Sequence, residues 1–186
     1  MAPKALTGTS TVTIFGSSRL RPEDPEYRIA HDLGALLAQN GYTICNGGYG
    51  GSMEATARGA KEHGGRTIGI ITGMFSTTAN PFIDTIVVTQ THAERLMKLV
   101  ETGDAYVVLK GSTGTLLELA MVWEYLNKGI LKNKPIIVLG EFWKPVIDTL
   151  KGELAWEGAG DAAAHVTIAH SPEECVKALN RRMHHS

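Results

Sequence analysis

The chain has 186 residues, 43% hydrophobic and 20% charged, with a formal net charge of −1, ordinary values for one soluble globular domain with a substantial core. A near-neutral charge without a dense basic cluster argues against nucleic acid as the main partner, and Arg181-Arg182 reads as a solvated helix end. No apolar run has the length of a signal peptide or membrane span, and Cys45 and Cys175 fit no CxxC spacing, so free thiols in a reducing cytoplasm are expected.

Strand and helix patterns alternate along the chain. Met1–Ser10 reads as a loose tail. Thr11–Phe15 is a predicted strand, followed by a helix over Pro25–Gln39 with Ala30, Leu33, Leu36 and Leu37 at helical spacing. Gly41 is its expected C-terminal cap residue. A second strand, Tyr42–Cys45, leads to a helix over Ser52–His63, closed by Gly64-Gly65. Arg66–Ile71 and Ile83–Thr89 are the third and fourth strands, and a helix follows over His92–Thr102. Strand five, Asp104–Leu109, precedes a helix over Thr115–Lys128. Pro135–Leu139 is strand six, with a helix from about Trp143. After the soft stretch Glu157–Ala164 come a last strand, His165–Ala169, and a last helix, Pro172–Met183; His184-His185-Ser186 is given no function. Uninterrupted apolar strands such as Ile136-Ile137-Val138-Leu139 are typical of parallel strands buried on both faces. The expected architecture is one Rossmann-like α/β domain over residues 1–186, a doubly wound, mostly parallel sheet with helices on both faces.

Glycine makes up 21 residues, and the excess gathers in two segments where a strand hands over to a helix. The first is Asn46-Gly47-Gly48-Tyr49-Gly50-Gly51-Ser52-Met53; the second is Lys110-Gly111-Ser112-Thr113-Gly114-Thr115. Glycine allows tight turns and close backbone approach, and a helix starting at once offers free N–H groups and a positive dipole end to an anion. Two such devices on one sheet edge point to a phosphorylated ligand between them, at the switch in strand order. Gly16-Ser17-Ser18, after strand one, is a third short turn that either hydrogen-bonds a base or sugar or does ordinary turn work.

Glu118 is the unusual residue of its helix, which is apolar almost all round. Glu124 and Lys128 mark the wet face, and Glu118 lies about 120° from it on the wheel. A carboxylate there needs partners, which argues for a role in a site. Arg95 is the natural partner, in the first turn of a helix that Thr91 and Glu94 begin as a capping box. His92 reads as a first-turn polar residue. The histidines and acids show no metal-ligand spacing, so no metal is expected.

These residues resemble a known family. Gly47-Gly48-Tyr49-Gly50-Gly51-Ser52-Met53 is similar to the GGGxxGxM loop of the LONELY GUY family, long mislabelled lysine decarboxylase-like. Lys110–Glu118 resembles its PGGxGTxxE signature, and Glu94-Arg95 the ER between them. The resemblance covers about Val12 to Leu150, with His165–Leu179 similar to the family's final strand and helix. It implies a Rossmann-like homodimer that cleaves a nucleoside 5′-monophosphate to base and ribose 5-phosphate, without a cofactor. Arg95 and Glu118 would be catalytic, and both loops would hold phosphate and ribose. No lysine is placed for a pyridoxal phosphate Schiff base. The alternative implied by related sequences is a molybdenum-cofactor carrier that binds without turnover. Lys110 and Ser112 stand where the signature has proline and glycine. Lys110 is expected to put a mobile cation beside the phosphate, and Ser112 to strain the loop if positive φ is needed there. The helix Thr115–Lys128, with Met121, Trp123, Tyr125 and Leu126, is expected at the dimer interface.

Overall fold

In the computed structural model the described residues are 10–183, so the predicted tail, Ser10 apart, and His184-His185-Ser186 lie outside them. The strands are β1 (Thr11–Phe15), β2 (Thr43–Asn46), β3 (Thr67–Thr72), β4 (Thr85–Thr89), β5 (Ala105–Val108), β6 (Ile136–Leu139) and β7 (Val166–Ala169). The helices are α1 (Pro25–Gln39), α2 (Ser52–Glu62), α3 (His92–Thr102), α4 (Thr113–Asn127), α5 (Lys144–Trp156) and α6 (Pro172–Met183). The stretch read as soft contains a 3₁₀ turn, Gly160–His165. Helix α4 starts two residues before the predicted Thr115, because Ser112 takes the extended N-cap conformation.

All seven strands run parallel in one sheet, in the order β4-β3-β2-β1-β5-β6-β7. The chain winds outward from β1 to β4, then returns to the other side of β1 as β5. Adjacent C-terminal strand ends diverge at that reversal, and ligands of doubly wound sheets bind there.

The apolar strand runs are divided between two cores by the period-two alternation of a strand. Val12, Ile14, Ala105, Val107, Ile137 and Leu139 face α1, α2 and α6. Phe15, Tyr106, Val108, Ile136 and Val138 face α3, α4 and α5. The four-residue strands β2, β5 and β6 are wholly buried because both faces are covered. Edge strand β4 differs: Ile86 and Val88 are exposed.

The predicted turns hold locally. Gly41 has φ +81° just beyond the C-cap Asn40 of α1, the left-handed position that ends helices. Thr91 caps α3 by accepting the Glu94 N–H at 3.1 Å. The Glu94 carboxylate reaches one residue further back than a capping box requires, to the Gln90 N–H at 2.9 Å.

The first glycine segment is fixed from beneath by Asn46, which has no exposed surface. Its Nδ2 donates to the Met53 carbonyl at 2.9 Å and to Thr56 Oγ1 at 3.1 Å, and its Oδ1 accepts the Gly48 N–H at 2.8 Å. Removing that side chain strands the buried Gly48 N–H, while the Met53 carbonyl keeps the Thr56 hydroxyl at 3.1 Å. Asn46→Ala is therefore expected to destabilise the fold by about 2–3 kcal/mol, read as a lower denaturation midpoint at unchanged slope.

Candidate active site

At the strand reversal the C-terminal ends of β1, β2 and β5 enclose a cavity of about 570 Å³. Of the residues singled out in the sequence, it is bordered by Gly16, Ser17 and Ser18 after β1, Met53 of α2, and Arg95 of α3. Lys110, Gly111 and Ser112 after β5, with Gly114, Thr115 and Glu118 of α4, complete that set. Gly47, Gly48, Gly50, Gly51 and Thr113 do not border it. Arg19, Leu20, Tyr49, Phe75, His92 and Phe142 do, and sequence reading did not select them. The available signal was topological: each lies at or just after the C-terminal end of a parallel strand or starts the helix beyond it.

The first glycine loop works one layer behind the cavity. Gly51, at φ +68°, lies so close to the β1 loop that a Cβ would come within 2.2 Å of the Ser17 carbonyl. The Ser52 N–H, first of α2, donates to that carbonyl at 2.8 Å, and Ser52 Oγ adds a bond at 3.1 Å. The start of α2 thus holds the Gly16–Ser18 turn instead of standing fully open to an anion. On its other side, Asn80 clamps the loop by donating from its backbone N–H to the Gly48 carbonyl and from Nδ2 to the Tyr49 carbonyl, both at 2.8 Å.

Helix α4 keeps its N-terminus open. Ser112 makes no side-chain cap bond, and among the described residues the N–H groups of Thr113, Gly114 and Thr115 meet no acceptor. Three unpaired donors at the positive end of a 15-residue helix make a candidate anion site. Ser112 carries no strain at φ −107°, so the predicted penalty for serine is absent. Gly111 is needed for space, since a Cβ there would meet Thr115 Oγ1 at 2.1 Å. Lys110 is not the free cation expected: its Nζ pairs with Glu26 Oε1 at 2.5 Å and lies 5.8 Å from the Phe142 ring centroid. The unpaired cation at this end is Arg19, exposed on the cavity rim with no ion pair among the described residues.

At the other side, Arg95 is only 5% exposed. Its Nε donates to the Ile70 carbonyl at 2.8 Å and its Nη2 to the Gly47 carbonyl at 3.2 Å. The guanidinium lies 5.3 Å from the Tyr49 ring centroid and 5.8 Å from that of Phe75. Gly47 has no Cβ because Arg95 occupies its place, 1.8 Å away. Burial lowers the pKa of Arg95, against the attraction of Glu118. Glu118, partly covered at the cavity wall, has its carboxyl pushed up to about 7 by loss of hydration, with Arg95 pulling the other way. No ion pair within 4 Å joins the two among the described residues, and both border the cavity. The pairing of a cleft with desolvated, mutually attracting titratable groups makes this a candidate functional site. His92 adds a ring 5.1 Å from Phe75 and a buried Nδ1 without a hydrogen-bond partner, more than a first-turn polar residue requires.

On the outer side of α4, Trp123 and Leu126 are buried in the core, against the expectation that they add free apolar surface. Leu116 and Leu117 are the exposed large apolar side chains of this helix. No helix among the described residues is long and apolar enough to cross a membrane, and no cluster of His, Cys, Asp or Glu with metal-binding geometry occurs among them.

Comparison with known proteins bears on the fold and the family. Two relatives named cytokinin riboside 5′-monophosphate phosphoribohydrolase stand out. The Mycobacterium marinum protein is 35% identical over 136 residues, 71% of this chain and 71% of its own. The Mycobacterium tuberculosis protein is 34% identical over 140 residues, 72% of each. Among solved structures, the molybdenum cofactor binding protein of Rippkaea orientalis superposes with a TM-score of 0.76 at 27% identity, over 96% of this chain and 99% of that one. The molybdenum cofactor carrier protein of Chlamydomonas reinhardtii shares the fold with a TM-score of 0.77 at 21% identity, over 95% and 99%. Residues 9–176 match the model of the SLOG cluster4 family, and the chain belongs to that family, among the LONELY GUY-like proteins its motifs resemble.

Proposed function

We propose that the protein hydrolyses the N-glycosidic bond of a nucleoside 5′-monophosphate, releasing free base and ribose 5-phosphate. The observation that carries this reading is the placement of Glu118 opposite Arg95, one helical turn below the open N–H groups at the start of α4. The phosphate would sit on the N–H groups of Thr113–Thr115 with Arg19 beside it. The ribose would then lie against Glu118, four residues along the helix from Gly114. Breaking the C1′–N bond puts positive charge on the sugar ring, as in other glycoside hydrolyses. An ionised Glu118 stabilises that charge and accepts a proton from the water that adds to C1′. The base leaves with the bond's electron pair and takes up a proton. Arg95, held by two carbonyls and two rings, keeps Glu118 ionisable near neutral pH. Phosphate anchoring away from the breaking bond turns binding energy into orientation.

The second reading is a carrier that binds a phosphorylated cofactor without turnover. The likeness to the Rippkaea orientalis molybdenum cofactor binding protein over nearly the whole chain favours it. Release of base from a panel of nucleoside monophosphates, followed by chromatography, separates the two. In both readings the two buried free cysteines suit a reducing cytoplasm.

Glu118→Gln and Arg95→Ala are each expected to lower base release by about a hundredfold or more with the fold retained. Activity like the wild type in Glu118→Gln removes the hydrolase reading. Base release should rise with pH through about 7, where Glu118 ionises. The same carboxyl gives a stability signature. Its pKa is raised from the usual 4.5, so its favourable contribution is complete below about 4.5 and is lost as pH rises through about 7. Glu118→Gln should therefore be more stable than the wild type at pH 8, by roughly 1–3 kcal/mol, with the gap closing near pH 4. Denaturant titrations at the two pH values measure this.

We also propose a homodimer that covers Leu116 and Leu117 of α4. Sedimentation should give a dimer at micromolar concentration, and Leu117→Glu should shift it to monomer.

A further inference from the structure

A second cavity of about 350 Å³ adjoins the first, above β5, β6 and β7 on the side of α1 and α6. Leu20, Lys110 and Phe142 border both, so the two chambers share a wall. Beyond it the lining is mainly apolar: Ile29 of α1, Leu109, Leu139 and Pro172. At its margin stand the Lys110–Glu26 ion pair and a contact of 2.7 Å between His170 Nδ1 and Glu141 Oε1. The chamber is large enough for a base with part of its sugar, at the lower end of small-molecule sites.

The wall is weak. The Lys110 and Glu26 side chains are 49% and 33% exposed. A pair so exposed is screened by water and contributes little to stability, so exchanging Glu26 for another anion costs little. Phe142 is 49% exposed as well. The wall also lies beside the open start of α4, so the phosphate site stands at the junction of the two chambers. A group attached to the far side of that phosphate would pass Lys110 and enter the second chamber.

We propose that the second cavity is a ligand subsite, and that the preferred ligand is a dinucleoside diphosphate or a similar molecule in which a diphosphate joins a nucleoside to a second planar or apolar group. The nucleoside occupies the first chamber, the diphosphate spans the α4 N-terminus, Arg19 and Lys110, and the second group lies against Ile29, Leu139 and Phe142. Lys110 exchanges Glu26 for the second phosphate. This rests on the placement of the nucleotide given under the proposed function.

Calorimetric titration with AMP, ADP and a diphosphate linking two adenosines tests it. The expected order of affinity is dinucleotide, then ADP, then AMP, with the dinucleotide about tenfold tighter than AMP. Ile29→Trp fills the second chamber without touching the first. It should erase the gain of the dinucleotide over ADP while leaving AMP affinity within about twofold. Glu26→Gln, which frees Lys110, should strengthen ADP more than AMP. Equal affinity for AMP and the dinucleotide, or a gain that survives Ile29→Trp, overturns the inference; intact base release from AMP then leaves the hydrolase reading standing. Tight dinucleotide binding without base release from any monophosphate does the reverse.

Discussion

The buried guanidinium of Arg95 is the interaction on which the site depends. A cation with 5% exposure is tolerated only where its hydration is replaced. Here two carbonyls do so, one from β3 and one from the first glycine loop, together with the faces of Tyr49 and Phe75. Each of these constrains the chain elsewhere. Gly47 must lack a side chain, Tyr49 must turn its ring inward, and α3 must begin where Thr91 caps it. Tyr49 is in turn pinned to the end of β3, its hydroxyl accepting the Thr72 N–H at 2.8 Å. The charge thus joins three segments and faces Glu118 across the cavity, where it offsets part of the desolvation of that carboxyl.

The two glycine loops, alike in sequence, have different work in the fold. In the first, small size lets backbone meet backbone: Gly51 packs on Ser17, and Gly48 on β3, where a Cβ would meet Ile71 at 2.7 Å. The start of α2 gives one N–H to the protein itself. The second loop is built more openly, with only Gly111 required for space and the N–H groups of α4 left without acceptors. One loop serves as scaffold and the other leaves its helix end open. The division is physical: a helix end cannot give the same N–H groups to both a neighbouring carbonyl and a ligand.

Lys110 shows how context changes the meaning of a residue. A lysine at a strand end beside an anion site reads as a contribution to that site. In the fold it reaches Glu26, in the first turn of α1, and forms part of a wall between two chambers. Glu26 is 84 residues away in sequence, and only the parallel sheet brings the end of β5 beside the start of α1.

By itself the sequence determined the order and type of the elements, because period-two and helical apolar spacing are local properties; α1, α3 and α6 have the bounds their patterns predict. It also marked Arg95 and Glu118, since a charge on an otherwise apolar stripe is costly wherever the stripe is buried. Motif spacing fixed which strand ends carry Gly16–Ser18 and Lys110–Thr115, and the doubly wound topology brought both to one cavity. Tertiary structure alone decided the rest. Phe75 and Phe142 follow strands whose local pattern says nothing of a cavity, and they enter the site through the crossing of the sheet reversal. Which helix end stays open, whether Lys110 is free, and whether Ser112 is strained depend on neighbours from distant segments, so no window of sequence holds the answer. Trp123 and Leu126 lie in the core while Leu116 and Leu117 stay exposed, because on a helix apolar nearly all round only packing selects the face turned to the sheet.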